Sequence, residues 1–474
     1  MDVILTHPIY EIVGRVADEM GVRAYAVGGV VRDYFLQRHC TDIDIVCVGD
    51  GIALAQAAAE AVGHHTEVHV FKNFGTASFR YSHGGEDWQI EFVGARKESY
   101  RSDSRKPAVT DGTLEDDQNR RDFTINAMAV SINADSFGQL LDPFGGIQDL
   151  DRGVIRTPLD PKITFSDDPL RMMRAIRFAS QLGFTIAENT FNAIKENAGR
   201  IKIVSPERVT TELNKIILSP VPSVGFRLLM DAGLLELIMP DVAQLKGVES
   251  VGQRAHKDNF FHTLKVLDNV AAKSDNLWLR WAALLHDVGK PACKRYNEQS
   301  GWTFHGHEAM GAKMVKRIFK QLRLPLDMKL KYVEKLVLLH MRPIVLAEEV
   351  VTDSAVRRLL FEAGDDVEAL MTLCEADITS RNEAKVRRHL ENFQLVRRKL
   401  KELEEKDHIR NFQPPVSGSD IMQVFGLKPC SEIGTIKDAI KDAILDGRIP
   451  NERAAAWQMM LEEGEKLGLK PLKE

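Results

Sequence analysis

Gly28-Gly29-Val30-Val31-Arg32-Asp33, followed closely by Asp42-Ile43-Asp44, is the stretch that decides the fold of this chain. Apolar residues 24–27 predict a short strand that ends at the glycine pair, and a helix restarts at Val30. Residues 42–48 begin with the polar–apolar alternation of a half-buried strand. Because side chains alternate across a strand, Asp42 and Asp44 are predicted to point to one face, beside a glycine turn that leads into a helix.

This combination favours a site for phosphate and metal. Two carboxylates on one face supply hard oxygen ligands, which suit Mg²⁺. Gly28 and Gly29 let the backbone approach a phosphate closely, and the N-terminus of the following helix favours anions. Arg32 lies on that helix, where its guanidinium can bind a phosphate oxygen. A plain turn or a solvated strand end would explain either block alone, but their proximity favours the metal and phosphate interpretation.

Composition limits the class of protein. The chain has 474 residues, of which 44% are hydrophobic and 28% charged, so it holds more than one globular domain. Its net charge of −5 argues neither for nor against a nucleic-acid partner. The cysteines show no Cys-x-x-Cys spacing, and free thiols fit a reducing compartment. No segment reaches the ~18 apolar residues of a membrane span. We therefore expect a cytoplasmic protein with no membrane partner.

The periodicity changes along the chain. Residues 1–150 alternate between helix and strand, with predicted strands at 24–27, 42–48, 68–71, 76–81 and 89–93 and predicted helices at 9–20, 30–36 and 52–62. After about Gly146 the pattern becomes almost wholly helical, and Gln413-Pro414-Pro415 breaks the chain near its end. The predicted domains are an α/β head at 1–150, a helical neck at 151–220, a helical body at 221–410 and a tail at 411–474.

Three later blocks complete a family pattern. They are Arg120-Arg121-Asp122-Phe123-Thr124-Ile125-Asn126, Asp142-Pro143-Phe144-Gly145-Gly146 and Asp167-Asp168-Pro169-Leu170-Arg171. Over about residues 20–220 the whole set resembles class II tRNA nucleotidyltransferases, the CCA-adding enzymes, and the related bacterial poly(A) polymerases. The resemblance implies an α+β fold, with a polymerase-β-like nucleotidyltransferase head of mixed sheet and helices followed by an all-α neck, an HD-type body and a tail.

The resemblance also implies roles for particular residues. Asp42 and Asp44 would hold Mg²⁺, and Glu91 is the candidate for the third catalytic carboxylate that such transferases usually carry. The implied nucleotide-binding residues are Gly28, Gly29, Arg32, Arg121, Asp122, Asn126, Asp168, Arg171, Arg174 and Arg177. For Arg174 and Arg177, a solvated basic helix face or a salt bridge to Asp167 or Asp168 stays an open alternative.

The Asp167–Arg171 block has a physical rationale as a base-selecting template. The family's Glu-Asp-x-x-Arg motif stands here with Asp167 in place of Glu. Ser166 is predicted to cap the next helix, which would put Asp168 and Arg171 on one helical face. Cytosine and adenine share an exocyclic amine beside a ring-nitrogen acceptor, so a carboxylate can accept from the amine while a guanidinium donates to the nitrogen. Guanine and uracil present a carbonyl instead, which would leave buried polar groups mismatched.

A second metal constellation lies further along. His286-Asp287 ends an apolar helix predicted at 278–285, which resembles the HD phosphohydrolase superfamily. The resemblance implies the metal ligands His262, His286, Asp287 and Asp377, with His307 and His340 available to a second ion. Such imidazole and carboxylate ligands suit a divalent transition metal or Mg²⁺. His256 and His305 are expected to be bystanders, and an HD body without chemistry is the alternative.

The leading hypothesis is therefore a CCA-adding tRNA nucleotidyltransferase, which would add C, C and A to a tRNA 3′ end from CTP and ATP and release pyrophosphate. The HD body would carry a further phosphohydrolase activity. Three alternatives stay open: a poly(A) polymerase or an enzyme adding only C-C or only A, an HD-type metal phosphohydrolase, and a non-catalytic RNA-binding scaffold. A basic cluster within 387–401 is equally consistent with a surface that binds RNA phosphates and with a solvated, salt-bridged helix. The sequence leaves the oligomeric state open.

Overall fold

The computed structural model describes residues 2–63, 66–72, 75–101, 104–247, 250–251, 254–255, 258–299, 301–348, 352–379, 383–407 and 413–472. The chain divides after Pro240 into two compact units, which are described separately below. His256 lies outside the described residues. No helix in these ranges is long and apolar enough to cross a membrane.

The first unit begins with an alternation of helices and strands. Its elements are α1 (Pro8–Glu19), β1 (Arg23–Val27), α2 (Gly29–Phe35), β2 (Asp42–Val48), α3 (Gly51–Val62), β3 (His69–Phe71), β4 (Thr76–His83), β5 (Glu86–Gly94), β6 (Arg96–Arg101), β7 (Ser104–Asp111), α4 (Leu114–Asn119), β8 (Ala129–Ser131), β9 (Leu140–Leu141) and α5 (Gly146–Arg152). A 3₁₀ turn at Thr124–Asn126 precedes β8.

Seven of these strands form one mixed sheet in the order β3-β4-β5-β2-β1-β8-β9. β2 pairs antiparallel with β1 and parallel with β5, so the strand that carries the two aspartates lies near the centre of the sheet. Ile43 and Ile45 are fully buried between the polar positions of β2. The alternation in the sequence therefore turns the apolar side chains into the core and leaves Asp42 and Asp44 on the other face.

Helices complete the first unit. They are α6 (Pro161–Asp167), α7 (Leu170–Leu182), α8 (Glu188–Asn197), α9 (Pro206–Ile217), α10 (Pro222–Asp231) and α11 (Leu235–Ile238), with short strands β10 (Val154–Ile155) and β11 (Thr185–Ile186). α7 packs against both α9 and α10. Buried Met172, Ile176 and Ala179 form its inner stripe at helical spacing.

The second unit is mainly helical. Its elements are α12 (Pro240–Ala243), which starts at the boundary, β12 (Ser250–Val251), β13 (Arg254–Ala255), α13 (Asn259–Ala271), α14 (Leu277–Leu285), α15 (Lys290–Cys293), β14 (Arg295–Asn297), β15 (Gly301–Thr303), α16 (His307–Gln321), α17 (Met328–Leu339), α18 (Met341–Glu348), α19 (Asp353–Ala363), α20 (Val367–Asp377), α21 (Glu383–Asp407), α22 (Gly418–Phe425), α23 (Ser431–Leu445) and α24 (Arg453–Lys466). Trp281 is fully buried in its core.

Several elements of the head were not predicted, namely the β6–β7 hairpin, α4, β8 and β9. The β6–β7 hairpin was not predicted, because its first strand is rich in charged residues and lacks the apolar alternation of a buried strand. β8 was also not predicted, although it pairs with β1 inside the main sheet. Its three residues, Ala129–Ser131, are too few to establish a period of two.

Close packing of α3 on the sheet predicts that Gly51→Ala destabilises the head. A Cβ at Gly51 would lie 2.6 Å from the backbone nitrogen of Gly94 and the carbonyl carbon of Val93, and neither atom can rotate away. We expect a loss of about 1–3 kcal/mol in the free energy of unfolding, measured with urea. Gly199→Ala is the control, because a Cβ there meets nothing within 4 Å. Equal stabilities of the two variants would contradict this packing.

Candidate functional site: two carboxylate centres

Strand register brings three carboxylates together. Asp44 on β2 is the direct neighbour of Glu91 on the parallel strand β5, while Asp42 is paired with Gln89. Adjacent residues in register share a face, so Asp44 and Glu91 point the same way, and Asp42 lies two positions along on that face. Burial raises the pKa of Asp44 to about 6, and the negative charges of Glu91 and Asp42 contribute to the rise, although Arg121 opposes it. The three acids form one cluster of negative charge.

The glycine turn closes on this cluster. Gly28 has a φ of +74°, which favours glycine, and a Cβ there would lie 3.3 Å from Oδ2 of Asp44 and 3.1 Å from Nη1 of Arg121. A side chain at this position would therefore occupy the space between an acid and a cation. Gly28 is the N-cap of α2, so this helix begins directly beside Asp44 and Arg121.

Arg121 is held in this position by a residue that the sequence analysis did not single out. The side chain of Asp117 is fully buried, and Nε of Arg121 donates to its Oδ2 at 3.0 Å. Arg120 also pairs with Asp117, and the two arginines outweigh burial to keep the pKa of Asp117 below its usual value. The position of Asp117 on α4, four residues before Arg121, was the available signal.

A second network joins α2 and the Arg121–Asn126 block to helix α7. Nη1 of Arg32 donates to Oδ1 of Asn126 at 2.9 Å, and Nδ2 of Asn126 donates to Asp122 at 3.0 Å. Asp122 in turn accepts from Nε of Arg174 at 2.7 Å. Burial would raise the pKa of Asp122, but Arg174 and Asn126 lower it to about 2, so it is ionised at neutral pH. Arg174 on α7 is therefore paired with Asp122 and joined through Asp122 and Asn126 to Arg32.

Arg177 lies deeper in the same helix. Its side chain is mostly buried and forms an ion pair with Glu212 of α9 at 3.0 Å. Burial lowers the pKa of Arg177 to about 10, which still leaves it charged at neutral pH. Arg177 therefore lies in a buried ion pair rather than on a solvated helix face.

The predicted base-selecting block differs locally from the expectation. Ser166 does not cap the next helix, because it lies inside α6, and the side chain of Asp168 instead accepts from the backbone N–H of Leu170 at 3.1 Å. Asp168 thus stands just before α7 rather than on its face, while Arg171 is in the first turn. Nη2 of Arg171 donates to the carbonyl oxygen of Arg120 at 2.6 Å, which ties this block to the arginines of the head.

The second unit brings all six predicted HD residues together. Nε2 of His262 lies 2.7 Å from Asp377, and Nε2 of His286 lies 3.3 Å from Oδ2 of Asp287. On the other side of Asp287, its Oδ1 is 3.4 Å from His307 and 3.9 Å from His340. Asp287 therefore stands between two histidine pairs. The predicted bystander His305 is exposed and lines a cavity of about 690 Å³ beside the cluster.

The histidines are oriented for metal binding. Nδ1 of His286, His307 and His340 lies 2.7–2.9 Å from the backbone carbonyl three residues earlier and donates to it, so each Nε2 points away from the backbone of its own helix. Nε2 of His286 is buried and has no hydrogen-bond partner among the described residues. Imidazole nitrogens and carboxylates converging in this way fit one or two divalent ions.

The charges of this cluster depend on one another. His286 and Lys290 hold the pKa of Asp287 well below its usual range in spite of burial. Burial lowers the pKa of His340 to about 4, so this imidazole is neutral at physiological pH and available as a ligand. Nζ of Lys290 donates to Asp287 at 2.6 Å and supplies the nearest fixed positive charge.

Part of the basic cluster on α21 forms salt bridges within the second unit. Arg397 pairs with Glu368 and Glu375, and Lys399 lies 3.5 Å from Asp353. Arg387 and Arg388 are exposed. The solvated, salt-bridged helix therefore explains the C-terminal half of this cluster.

Three segments of the chain match the sequences of known protein families. Residues 24–156 match the poly A polymerase head domain, residues 183–246 match a probable RNA and SrmB-binding site of polymerase A, and residues 259–382 match the HD domain. The chain is 33% identical over 362 residues to the A-adding tRNA nucleotidyltransferase of Deinococcus radiodurans, covering 74% of this chain and 80% of that protein. The chain belongs to the tRNA nucleotidyltransferase family.

Two further similarities agree with this assignment. The multifunctional CCA protein of Pseudomonas paraeruginosa is 34% identical over 313 residues, which cover 65% of this chain and 72% of that protein. The crystal structure of the Bacillus stearothermophilus CCA-adding enzyme in complex with CTP aligns with a TM-score of 0.68 at 24% identity and covers 98% of this chain and 99% of that one. The predicted fold class, with its polymerase-β-like head and HD domain, is confirmed.

The raised pKa of Asp44 predicts a pH-dependent stability in the metal-free protein. Because the pKa of Asp44 in the folded chain is about 6 and its ordinary value is 3.8, the fold loses stability as pH rises from about 4 to 6, and the loss is complete above 6. With a chelator present, Asp44→Asn should be more stable than the native chain by about 1–3 kcal/mol at pH 8 and nearly equal near pH 4. Urea unfolding at both pH values measures this, with Asp231→Asn, which changes an exposed carboxylate at the end of α10, as control. A gain that does not vary with pH would contradict it.

Proposed function

We propose that this chain is a CCA-adding enzyme that transfers nucleotides from CTP and ATP to the 3′ end of tRNA and releases pyrophosphate. The observation that carries the proposal is the convergence of Asp42, Asp44 and Glu91 beside Arg121, in a chain of the tRNA nucleotidyltransferase family. Acids for metal ions and cations for a triphosphate are the two requirements of nucleotidyl transfer.

The residues of the head fit Mg²⁺. Asp42 and Asp44 would hold the ion, with Glu91 as the third carboxylate. Burial makes ionised Asp44 costly in free energy, and a bound cation would offset that cost. When bound, the ion supplies activation of the attacking hydroxyl and stabilisation of the leaving pyrophosphate. The amides after Gly28 and the side chains of Arg32 and Arg121 would bind the phosphates.

Base selection would fall to Asp168 and Arg171. Arg171 stands at the start of α7, and its hydrogen bond to the Arg120 carbonyl fixes the guanidinium against the head. Oδ1 of Asp168 accepts a hydrogen bond from the backbone N–H of Leu170. The carboxylate has further lone pairs that could accept from the amine of a base. In this account the pair favours cytosine and adenine over guanine and uracil.

The same proposal covers the organisation of the chain. We assign residues 1–150 to the nucleotidyltransferase head, 151–220 to the neck with the selecting helix, 221–410 to the HD-type body and 411–474 to a tRNA-binding tail, in a cytoplasmic protein. The cysteines Cys40, Cys47, Cys293, Cys374 and Cys430 are all free thiols, which fits a reducing compartment.

Incorporation of labelled nucleotides tests the proposal. On tRNA ending at the discriminator base, CTP and ATP together should give C, C and A and then arrest, with no incorporation of GTP or UTP. Asp44→Asn should lower the rate by at least about 10³-fold, because a ligand of the reacting metal is lost, whereas His305→Ala in the other unit should have the native rate.

The other outcomes are informative. Addition of A alone, the activity in the name of the Deinococcus relative, or of C-C alone would restrict the enzyme to part of the sequence. Long A tracts would make it a poly(A) polymerase. Failure to incorporate any nucleotide would overturn the proposal.

We also propose that the HD cluster binds divalent metal and hydrolyses a phosphomonoester or a cyclic phosphodiester. The donor set is His262, His286, Asp287 and Asp377, with His307 and His340 for a second ion. The buried Nε2 of His286, which faces Asp287 at 3.3 Å and Asp377 at 3.7 Å, supports metal binding, and the cavity of about 690 Å³ that reaches Asp377 and His307 supports a substrate. When bound, the metal supplies a hydroxide nucleophile.

Asp287→Asn should weaken Mn²⁺ binding at least about tenfold, because Asp287 lies between both histidine pairs. The measurement is calorimetric titration in a background of Asp42→Asn with Asp44→Asn, so that the head does not contribute. His305→Ala is the matched control, since it changes an exposed histidine of the same cavity. Metal-dependent phosphate release should be lost with Asp287→Asn in the native background, while nucleotide incorporation stays unchanged. Unchanged Mn²⁺ affinity in Asp287→Asn would exclude this cluster as the metal site.

A further inference from the structure

Three guanidinium groups of the head and neck meet at one aromatic ring. The Cζ atoms of Arg177, Arg32 and Arg174 lie 4.1, 5.0 and 5.6 Å from the ring centroid of Phe178. All three distances are within the ~6 Å at which a cation is attracted by an aromatic ring. Phe178 is 5% exposed, so these contacts are largely removed from water.

The three cations come from separate parts of the fold. Arg32 lies on α2, directly after the glycine turn, whereas Arg174 and Arg177 lie on α7. Each has its own acidic partner: Asp33 for Arg32, Asp122 for Arg174 and Glu212 for Arg177. Those acids differ in every case, whereas the ring of Phe178 lies within 6 Å of all three cations.

Phe178 is itself fixed in place. Its ring stands edge-on to Phe123, with centroids 5.8 Å apart and an interplanar angle of 85°. Phe123 is fully buried and belongs to the Arg121–Asn126 block of the head. The ring therefore joins α7 to the block that carries Asp122 and Asn126, and it has little freedom to rotate away from the cations.

We propose that Phe178 is a positioning residue that holds Arg32, Arg174 and Arg177 as one preorganised cation cluster for the triphosphate of the incoming nucleotide. Its electron-rich ring offsets the repulsion among three like charges, which its volume alone does not do. Preorganised cations need no rearrangement when the substrate's negative charge arrives. This inference rests on the proposed nucleotidyl-transfer function.

Stepwise fluorination of the ring separates electrostatics from packing. Phe178 is replaced by 4-fluoro-, 3,5-difluoro- and 3,4,5-trifluorophenylalanine, which keep nearly the same shape while each fluorine weakens the attraction for cations. We expect log kcat/KM for ATP and CTP to fall steadily along the series, by about tenfold in total. The same series at Phe226, an equally buried ring on α10 outside the cluster, should be flat.

Binding of ATP to each variant is measured in parallel, together with the unfolding midpoint. A falling series at Phe178 with unchanged midpoints supports the proposal. A flat series at Phe178, in both turnover and ATP binding, would overturn it. Because the unsubstituted chain is assayed first, absence of any incorporation there would count against the proposed function, and ATP affinity along the series would still test the role of Phe178.

Discussion

The burial of Asp44 beside two other acids is the constraint on which the rest of the head depends. A carboxylate with a pKa of about 6 is costly to keep ionised in the folded chain. That cost is tolerable only where cations stand opposite, and Arg121 lies on the far side of the Gly28 turn. The mixed sheet fixes this arrangement, because the β1–β2–β5 pairing sets which residues of each strand meet.

The arginines of the site are held by ion pairs, whereas the three acids are placed by strand register. Each arginine is held by a buried or half-buried partner: Asp117 for Arg121, Asp122 for Arg174 and Glu212 for Arg177. Breaking such a pair leaves an uncompensated buried charge, so the pairs hold the guanidinium groups in one arrangement. The HD centre follows the same logic with histidines, whose Nδ1 protons are committed to backbone carbonyls and whose Nε2 atoms face Asp287.

Much of this could be predicted from sequence, since the informative residues are close together in the chain or alternate with a known period. Asp42 and Asp44 share a strand, and the predicted order of the HD residues matches one cluster in space. Asp117 was not predicted, although its position four residues before Arg121 was a signal. Phe178 could not be predicted, because a buried phenylalanine looks ordinary until its neighbours are known. The mistaken cap at Ser166 has a similar cause: Asp168 competes for the same helix end and has the better-placed side chain.

The most direct test of the central claim is electron paramagnetic resonance of Mn²⁺ with CTP, in a chain whose HD centre is disabled by Asp287→Asn. The account predicts nucleotide-dependent Mn²⁺ binding with coupling to the phosphorus of CTP. It also predicts that Asp42→Asn with Asp44→Asn removes this signal, since those carboxylates hold the ion beside the triphosphate. An unchanged Mn²⁺–CTP signal in the double variant would contradict the account, because the metal would then lie elsewhere.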